Sequence, residues 1–101
     1  MLVTITVTCR NKIEADKIAL ALLKKKLVAC ANIWPVDSYY WWQGKIATAK
    51  ETMLVVKTLA KNVTKTKKVI LALHSYKTPC LSIEKIDTNP ACLSWVKSVI
   101  K

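Results

Sequence analysis

The chain contains 101 residues, the size of one domain, and its 17 Lys and Arg outnumber its 6 Asp and Glu, so its formal net charge is +11. Four cysteines with no CxxC pair are too few for a disulfide scaffold, and no segment approaches the roughly 20 apolar residues that span a membrane. With no secretory signal pattern at the amino terminus, we expect one domain over residues 1–101, free thiols, a cytoplasmic location and no membrane partner.

The first quarter of the chain predicts a strand and then a helix. In LVTITVTC, residues 2–9, apolar residues alternate along one face, which is typical of a half-buried strand. Asn11 is a good helix N-cap, and Glu14 follows it at the spacing of a capping box. The pattern therefore predicts a helix over residues 12–26.

Two long strand-like runs follow, over residues 28–42 and 45–58, and only Gln43 and Gly44 separate them. This spacing predicts a hairpin. Strands of 13 residues extend about 40 Å, which exceeds the roughly 34 Å diameter implied by the radius of gyration of a compact chain of this length. The hairpin should therefore protrude, and Pro35 predicts a bulge or bend within it.

The SYYWW segment of this hairpin carries four aromatic side chains that must be shielded from water. Alternate residues of a strand point to opposite faces, so Tyr39 and Trp41 point one way and Tyr40 and Trp42 the other. One pair can pack beneath helices of the same chain. The other pair requires a partner, which is either protein or RNA.

The rest of the chain predicts a helix over residues 61–73, a strand over 80–87 and a helix over 90–100, which Pro90 begins. The element order is then βαββαβα. This order is typical of the α+β ferredoxin-like fold, a four-stranded antiparallel sheet with helices on one face. The other face of the sheet is left bare.

Four segments, LVACANIWPVDSYYWWQGKI, KETMLVVKT, LHSY and NPACLSWV, resemble the CutA (CutA1) divalent-cation-tolerance family over roughly residues 3–96. The resemblance implies a homotrimer similar to the PII signalling trimers, with sheets packed inward and the hairpin reaching a neighbour. It also implies a role in tolerance of copper and other divalent metal ions, and no catalytic residue, so we do not expect an enzyme. The implied interface residues are Tyr39, Tyr40, Trp41, Trp42 and Trp95.

The resemblance also implies candidate site residues. The positions that match the family pattern include Cys30, Trp41, Glu51, Lys57, His74 and Tyr76. The acidic residue that usually follows the later proline is Cys80 here, which replaces a hard oxygen ligand with a soft thiol. We therefore predict Cys30, His74 and Cys80 as ligands of copper or another metal ion, with no obligatory cofactor. Cys30 as a small buried residue and His74 as a helix cap are the structural alternatives.

Two other functions remain open. An RRM-like module would stack RNA bases on the bare sheet, but its signature is absent, so we expect no specific nucleic-acid partner. A PII-like sensor of a small molecule or anion would fit the positive charge, although the chain has no glycine-rich phosphate loop.

Overall fold

The computed structural model describes all residues, 1–101, and confirms the predicted element order. The elements are β1 (Leu2–Cys9), α1 (Lys12–Lys24), β2 (Cys30–Trp42), β3 (Lys45–Leu59), a short 3₁₀ turn (Ala60–Asn62), α2 (Val63–Leu73), β4 (Leu81–Ile86) and α3 (Pro90–Val99). The predicted boundaries differ by one or two residues. The first helix ends at Lys24 because Lys26 adopts a left-handed backbone conformation with φ of 56°.

The four strands form one antiparallel sheet in the order β2-β3-β1-β4, which is the ferredoxin-like arrangement. Alternate residues of β1 face the helices and form the core. The core residues of β1 and α1 are Val3, Ile5, Val7, Cys9, Ala15, Ile18, Ala19 and Leu22. Ile70 of α2 joins them, so α1 and α2 cover one face of the sheet.

The predicted N-cap of α1 is confirmed, but the Glu14 side chain binds a different backbone N–H from the one in a standard capping box. The Asn11 side-chain oxygen accepts a hydrogen bond from the Glu14 backbone N–H at 2.9 Å. The Glu14 carboxylate accepts from the Arg10 N–H at 3.0 Å, one residue before the N-cap. These bonds satisfy backbone donors at the helix start, and they hold Glu14 close to the end of β1.

The face of the sheet opposite α1 and α2, called the second face below, is only partly covered by the chain. Leu2 on this face is fully buried, as is Val96 of α3, and neither belongs to the main core. Since α3 also contacts β3, we assign α3 to one end of this face. The remaining positions are half-buried or exposed. They include Thr4, Thr6, Thr8, Cys30, Asn32, Trp34, Glu51, Met53, Val55 and Lys57.

The hairpin of β2 and β3 protrudes as predicted, and the molecule measures 45 × 24 × 21 Å. Gln43 and Gly44 both have positive φ, 50° and 78°, which suits a two-residue hairpin turn. The prediction of a bulge at Pro35 is wrong, because pairing continues without interruption and Pro35 lies opposite Thr52. Since β2 is an edge strand, a proline is tolerated where its missing N–H would face away from β3.

Candidate functional site

A groove of about 550 Å³ lies between the hairpin and the loop that connects α2 to β4. Its lining combines aromatic rings with one carboxylate, one thiol and one ammonium group. The lining residues are Thr8, Ser38, Tyr39, Tyr40, Trp42, Glu51, Tyr76, Lys77, Thr78 and Cys80. The groove therefore brings together several residues that the sequence had singled out.

Glu51 and Tyr76 are joined directly in this groove. The Tyr76 hydroxyl donates a hydrogen bond to the Glu51 carboxylate. Burial raises the pKa of Tyr76 well above its ordinary value, and the bond to Glu51 raises it further because it favours the protonated phenol. Tyr76 therefore remains a hydrogen-bond donor at neutral pH, and it holds the loop against the second face of the sheet.

His74, at the end of α2, fixes the start of the same loop. Its side chain is fully buried. Nε2 lies 2.8 Å from the Thr8 carbonyl oxygen, which only accepts, so Nε2 carries the proton. Nδ1 accepts a hydrogen bond from the Tyr76 backbone N–H at 3.1 Å. Both ring nitrogens are engaged, so His74 would have to give up one bond to ligate a metal.

Cys9, Glu14 and His74 form a buried polar cluster that sequence reasoning missed. Their potential ligand atoms lie within 4.8 Å of one another, and no other set of three such side chains does so. The Glu14 carboxylate also accepts from the Ser75 backbone N–H at 3.0 Å. The only sequence signals were the strand ending at Cys9 and the cap containing Glu14.

Hydrogen bonds and burial give this cluster a structural role. Burial raises the pKa of the Cys9 thiol to about 11, and the charges of Glu14 and Glu51 add to the effect. Burial alone would raise the pKa of Glu14, but its hydrogen bonds from Arg10 and Ser75 lower it below its ordinary value. A metal ion at this cluster would have to displace the thiol proton. The hydrogen bonds of Glu14 tie α1 to the loop after α2.

The three predicted metal ligands do not form one group within the chain. Cys30 lies opposite Lys57, which pairs with Thr4, whereas His74 contacts Thr8. Four residues of a strand correspond to about 13 Å. Cys30 and His74 are therefore at different ends of the sheet, while the exposed Cys80 lies in the groove.

The remaining candidates are also separated. Glu51 and Lys57 share the second face, but they are about 20 Å apart along β3. Lys57 contacts Asn32 at 3.4 Å and lies outside the groove. Trp41 pairs with Ile46 and points away from Trp42.

The predicted interface aromatics remain largely exposed to solvent in the single chain. Tyr39 and Trp41 are each 74% exposed. Tyr40, Trp42 and Trp95 are exposed too, on two different elements. The expectation that one pair packs beneath helices of the same chain is therefore wrong, because both pairs are exposed, and the need for an external partner applies to both.

Comparison with known proteins gives consistent matches along the chain. Residues 3–99 match the family described as CutA1 divalent ion tolerance protein. The divalent-cation tolerance protein CutA of Archaeoglobus fulgidus is 38% identical over 98 residues, which cover 96% of each chain. The CutA protein of Thermus thermophilus is 34% identical over 92% of each chain.

Solved structures agree with these sequence matches. A structure described as the periplasmic divalent cation tolerance protein CutA from Archaeoglobus fulgidus superimposes with a TM-score of 0.95 at 37% identity, over 100% of both chains. The divalent cation tolerance protein from Thermus thermophilus gives 0.94 at 33% identity, also over 100% of both chains.

Proposed function

Because this chain belongs to the CutA1 divalent ion tolerance family, we propose that it acts in divalent-cation tolerance as a homotrimer that binds a transition-metal ion. We propose no catalytic reaction. The observation that carries the metal proposal is that the thiol of Cys80, the carboxylate of Glu51 and the phenol of Tyr76 line one groove. Four free cysteines suit the reducing cytoplasm, which we propose as its location.

The donor set of the groove favours a soft metal ion. A thiolate suits Cu(I) and Zn²⁺, whereas Mg²⁺ and Ca²⁺ prefer cages of oxygen ligands. The net charge of +11 repels a cation at long range. Direct bonds to Cys80 and Glu51 would therefore have to hold the ion, and copper is the metal we propose.

The roles of the other two predicted ligands follow from their positions. Cys30 shares the second face with the groove but lies six residues along the strands from the level of Glu51, about 20 Å away, so it can reach the groove only from a neighbouring copy. His74 is fully engaged in hydrogen bonds, so we expect it to position the loop that carries Tyr76. Of the three ligands predicted from the sequence, Cys80 is then the one that lies in the groove of its own chain.

The homotrimer is supported by the surfaces that the chain leaves open. The second face is partly bare, and exposed aromatic side chains occupy both sides of the hairpin. Stable homo-oligomers commonly bury more than about 2,000 Å² in total. Sedimentation velocity at low micromolar concentration should give three times the 11.3 kDa chain mass. A monomer would contradict the trimer proposal.

The metal proposal is tested by competition titration with Cu(I) under reducing conditions. We expect Cys80→Ser to lower copper affinity by at least about tenfold, because the thiolate that would bind the metal ion is lost. Cys92→Ser is the matched control, since Cys92 lies on α3 and outside the groove. Equal affinity of both variants and the parent protein would overturn the assignment of Cys80.

A small-molecule sensor similar to the PII proteins is the second candidate. The volume of the groove, about 550 Å³, falls within the range of small-ligand sites, about 300 to 1,000 Å³. Isothermal titration with mono- and dinucleotides tests this candidate. Binding that Tyr40→Ala abolishes while copper affinity is unchanged would favour the sensor.

A further inference from the structure

The outward side of α1 carries a regular mixture of aliphatic and lysine side chains. Its outermost residues are Ile13, Lys17, Leu20 and Lys24. Their spacing places them within about 60° of one another around the helix axis. They lie opposite the buried Ala15, Ile18 and Leu22. Ile13 is 79% exposed and Leu20 52% exposed, so the core does not use them.

The neighbouring helix α2 repeats this pattern. Lys68 and Leu71 point away from the buried Thr66 and Ile70, and Leu71 is 52% exposed. The helix contains no acidic residue. Because α1 and α2 contact each other on the same side of the sheet, their outer residues form one surface. We call it the outer helix face: Ile13, Lys17, Leu20, Lys24, Lys68 and Leu71.

The charge of this face is not neutralised within the chain. Lys17, Lys24 and Lys68 have no carboxylate within 4 Å. The nearby acids of α1 are occupied, since Asp16 pairs with Lys12 at 2.8 Å and Glu14 binds backbone N–H groups. The face is therefore a positive surface with three large aliphatic side chains within it.

We propose that the outer helix face docks on an anionic lipid surface. Lysines near such a surface are attracted to its headgroups, and aliphatic side chains between them can enter the boundary with the acyl chains. Nucleic acid is the less suitable polyanion. It is usually recognised by arginine forks and stacked aromatic rings, and this face contains neither.

This docking is peripheral and replaces the expectation of no membrane partner, which rested on the lack of a membrane-spanning segment. It is separate from the proposed metal site. The outer helix face lies on the covered side of the sheet, whereas the second face carries Glu51 and much of the groove. The helices of the chain lack the length and apolarity of a membrane span. Electrostatic association of lysines with anionic headgroups is reversible and should weaken as salt increases.

The first test is co-sedimentation with phosphatidylcholine vesicles, with and without 30 mol% phosphatidylserine, at about 0.15 M ionic strength. Two triple variants carry the same net charge. One replaces Lys17, Lys24 and Lys68 with Gln, and the other replaces Lys45, Lys85 and Lys97, which lie on other elements. We expect binding to anionic vesicles to fall by more than about tenfold in the first and less than about threefold in the second. Equal losses, or no binding of the parent protein, would overturn the proposal.

The second test separates aliphatic insertion from charge. The double variant Leu20→Ser/Leu71→Ser keeps every lysine and should still lose severalfold in vesicle binding. Circular dichroism establishes that each variant is folded. Fluorescence anisotropy with an unstructured RNA under the same conditions tests whether nucleic acid is the preferred partner. RNA binding that is tighter than vesicle binding and equally sensitive to the lysine changes would contradict a lipid partner.

Discussion

The Tyr76 hydroxyl donates to the Glu51 carboxylate, and this bond connects the loop after α2 to the second face of the sheet. Residue 76 can reach residue 51 because His74, two positions earlier, is anchored to the Thr8 carbonyl. The same ring accepts the Tyr76 backbone N–H. The shape of the groove therefore depends on a short chain of hydrogen bonds that begins in the buried cluster of Cys9, Glu14 and His74.

Tyr76→Phe should lower the free energy of unfolding by about 1 to 2 kcal/mol, because it leaves the half-buried Glu51 carboxylate without its donor. Urea unfolding at neutral pH measures the effect. Tyr40→Phe is the matched control, since its hydroxyl makes no hydrogen bond within the chain although it lines the same groove. Equal stability of Tyr76→Phe and the parent protein would show that the bond contributes nothing.

His74→Ala should cost about 2 to 4 kcal/mol of unfolding free energy, because it opens a cavity and leaves buried backbone groups unpaired. Thermal and urea unfolding measure this cost. Because His74 positions the loop that shapes the groove, the variant, once folded at low temperature, should bind copper more weakly but keep a measurable site at Cys80. Copper affinity equal to that of the parent protein would show that His74 does not shape the site.

Acidification should remove the contribution that the Glu14 carboxylate makes to the free energy of unfolding. Its folded pKa is lowered below the ordinary value of 4.5, so the unfolded chain binds more protons in the acid range. The stabilisation is therefore fully present above the unfolded pKa and is lost as pH falls through the folded pKa. The difference in urea midpoint between the parent protein and Glu14→Gln should shrink from pH 7 to pH 3. A difference that stays constant with pH would contradict this assignment.

The cysteines should differ in reactivity. Cys9 is buried and its pKa is raised to about 11, so almost no thiolate is present at pH 8. Cys80 is exposed in the groove. Peptide mapping by mass spectrometry after iodoacetamide treatment should show rapid modification of Cys80 and none of Cys9 until urea is added. Rapid native labelling of Cys9 would show that the cluster opens readily.

The order of the elements was predictable because its signals are local. Asn11 and Glu14 mark a helix start, and the Gln43-Gly44 pair between two strand-like runs marks a hairpin. The division of the SYYWW aromatics between two faces was predictable too, since side chains alternate along a strand. Their exposure was only half predicted, because neither pair packs beneath the helices of the same chain.

The buried cluster and the separation of Cys30 from His74 were not predictable. Glu14 and Ser75 lie 61 residues apart in the chain, and the strand register that separates Cys30 from His74 is fixed by packing across the sheet. The bulge predicted at Pro35 failed for a related reason. Strand order, which determines whether a proline lies on an edge, is a property of the whole fold.

Native mass spectrometry of the reduced protein with Cu(I) reports assembly and metal content in one spectrum, so it tests the trimer and its copper site together. We expect a trimer of the 11.3 kDa chain that retains copper, and a trimer of Cys80→Ser that does not. A monomer, or a Cys80→Ser trimer with the same copper content as the parent protein, would contradict it.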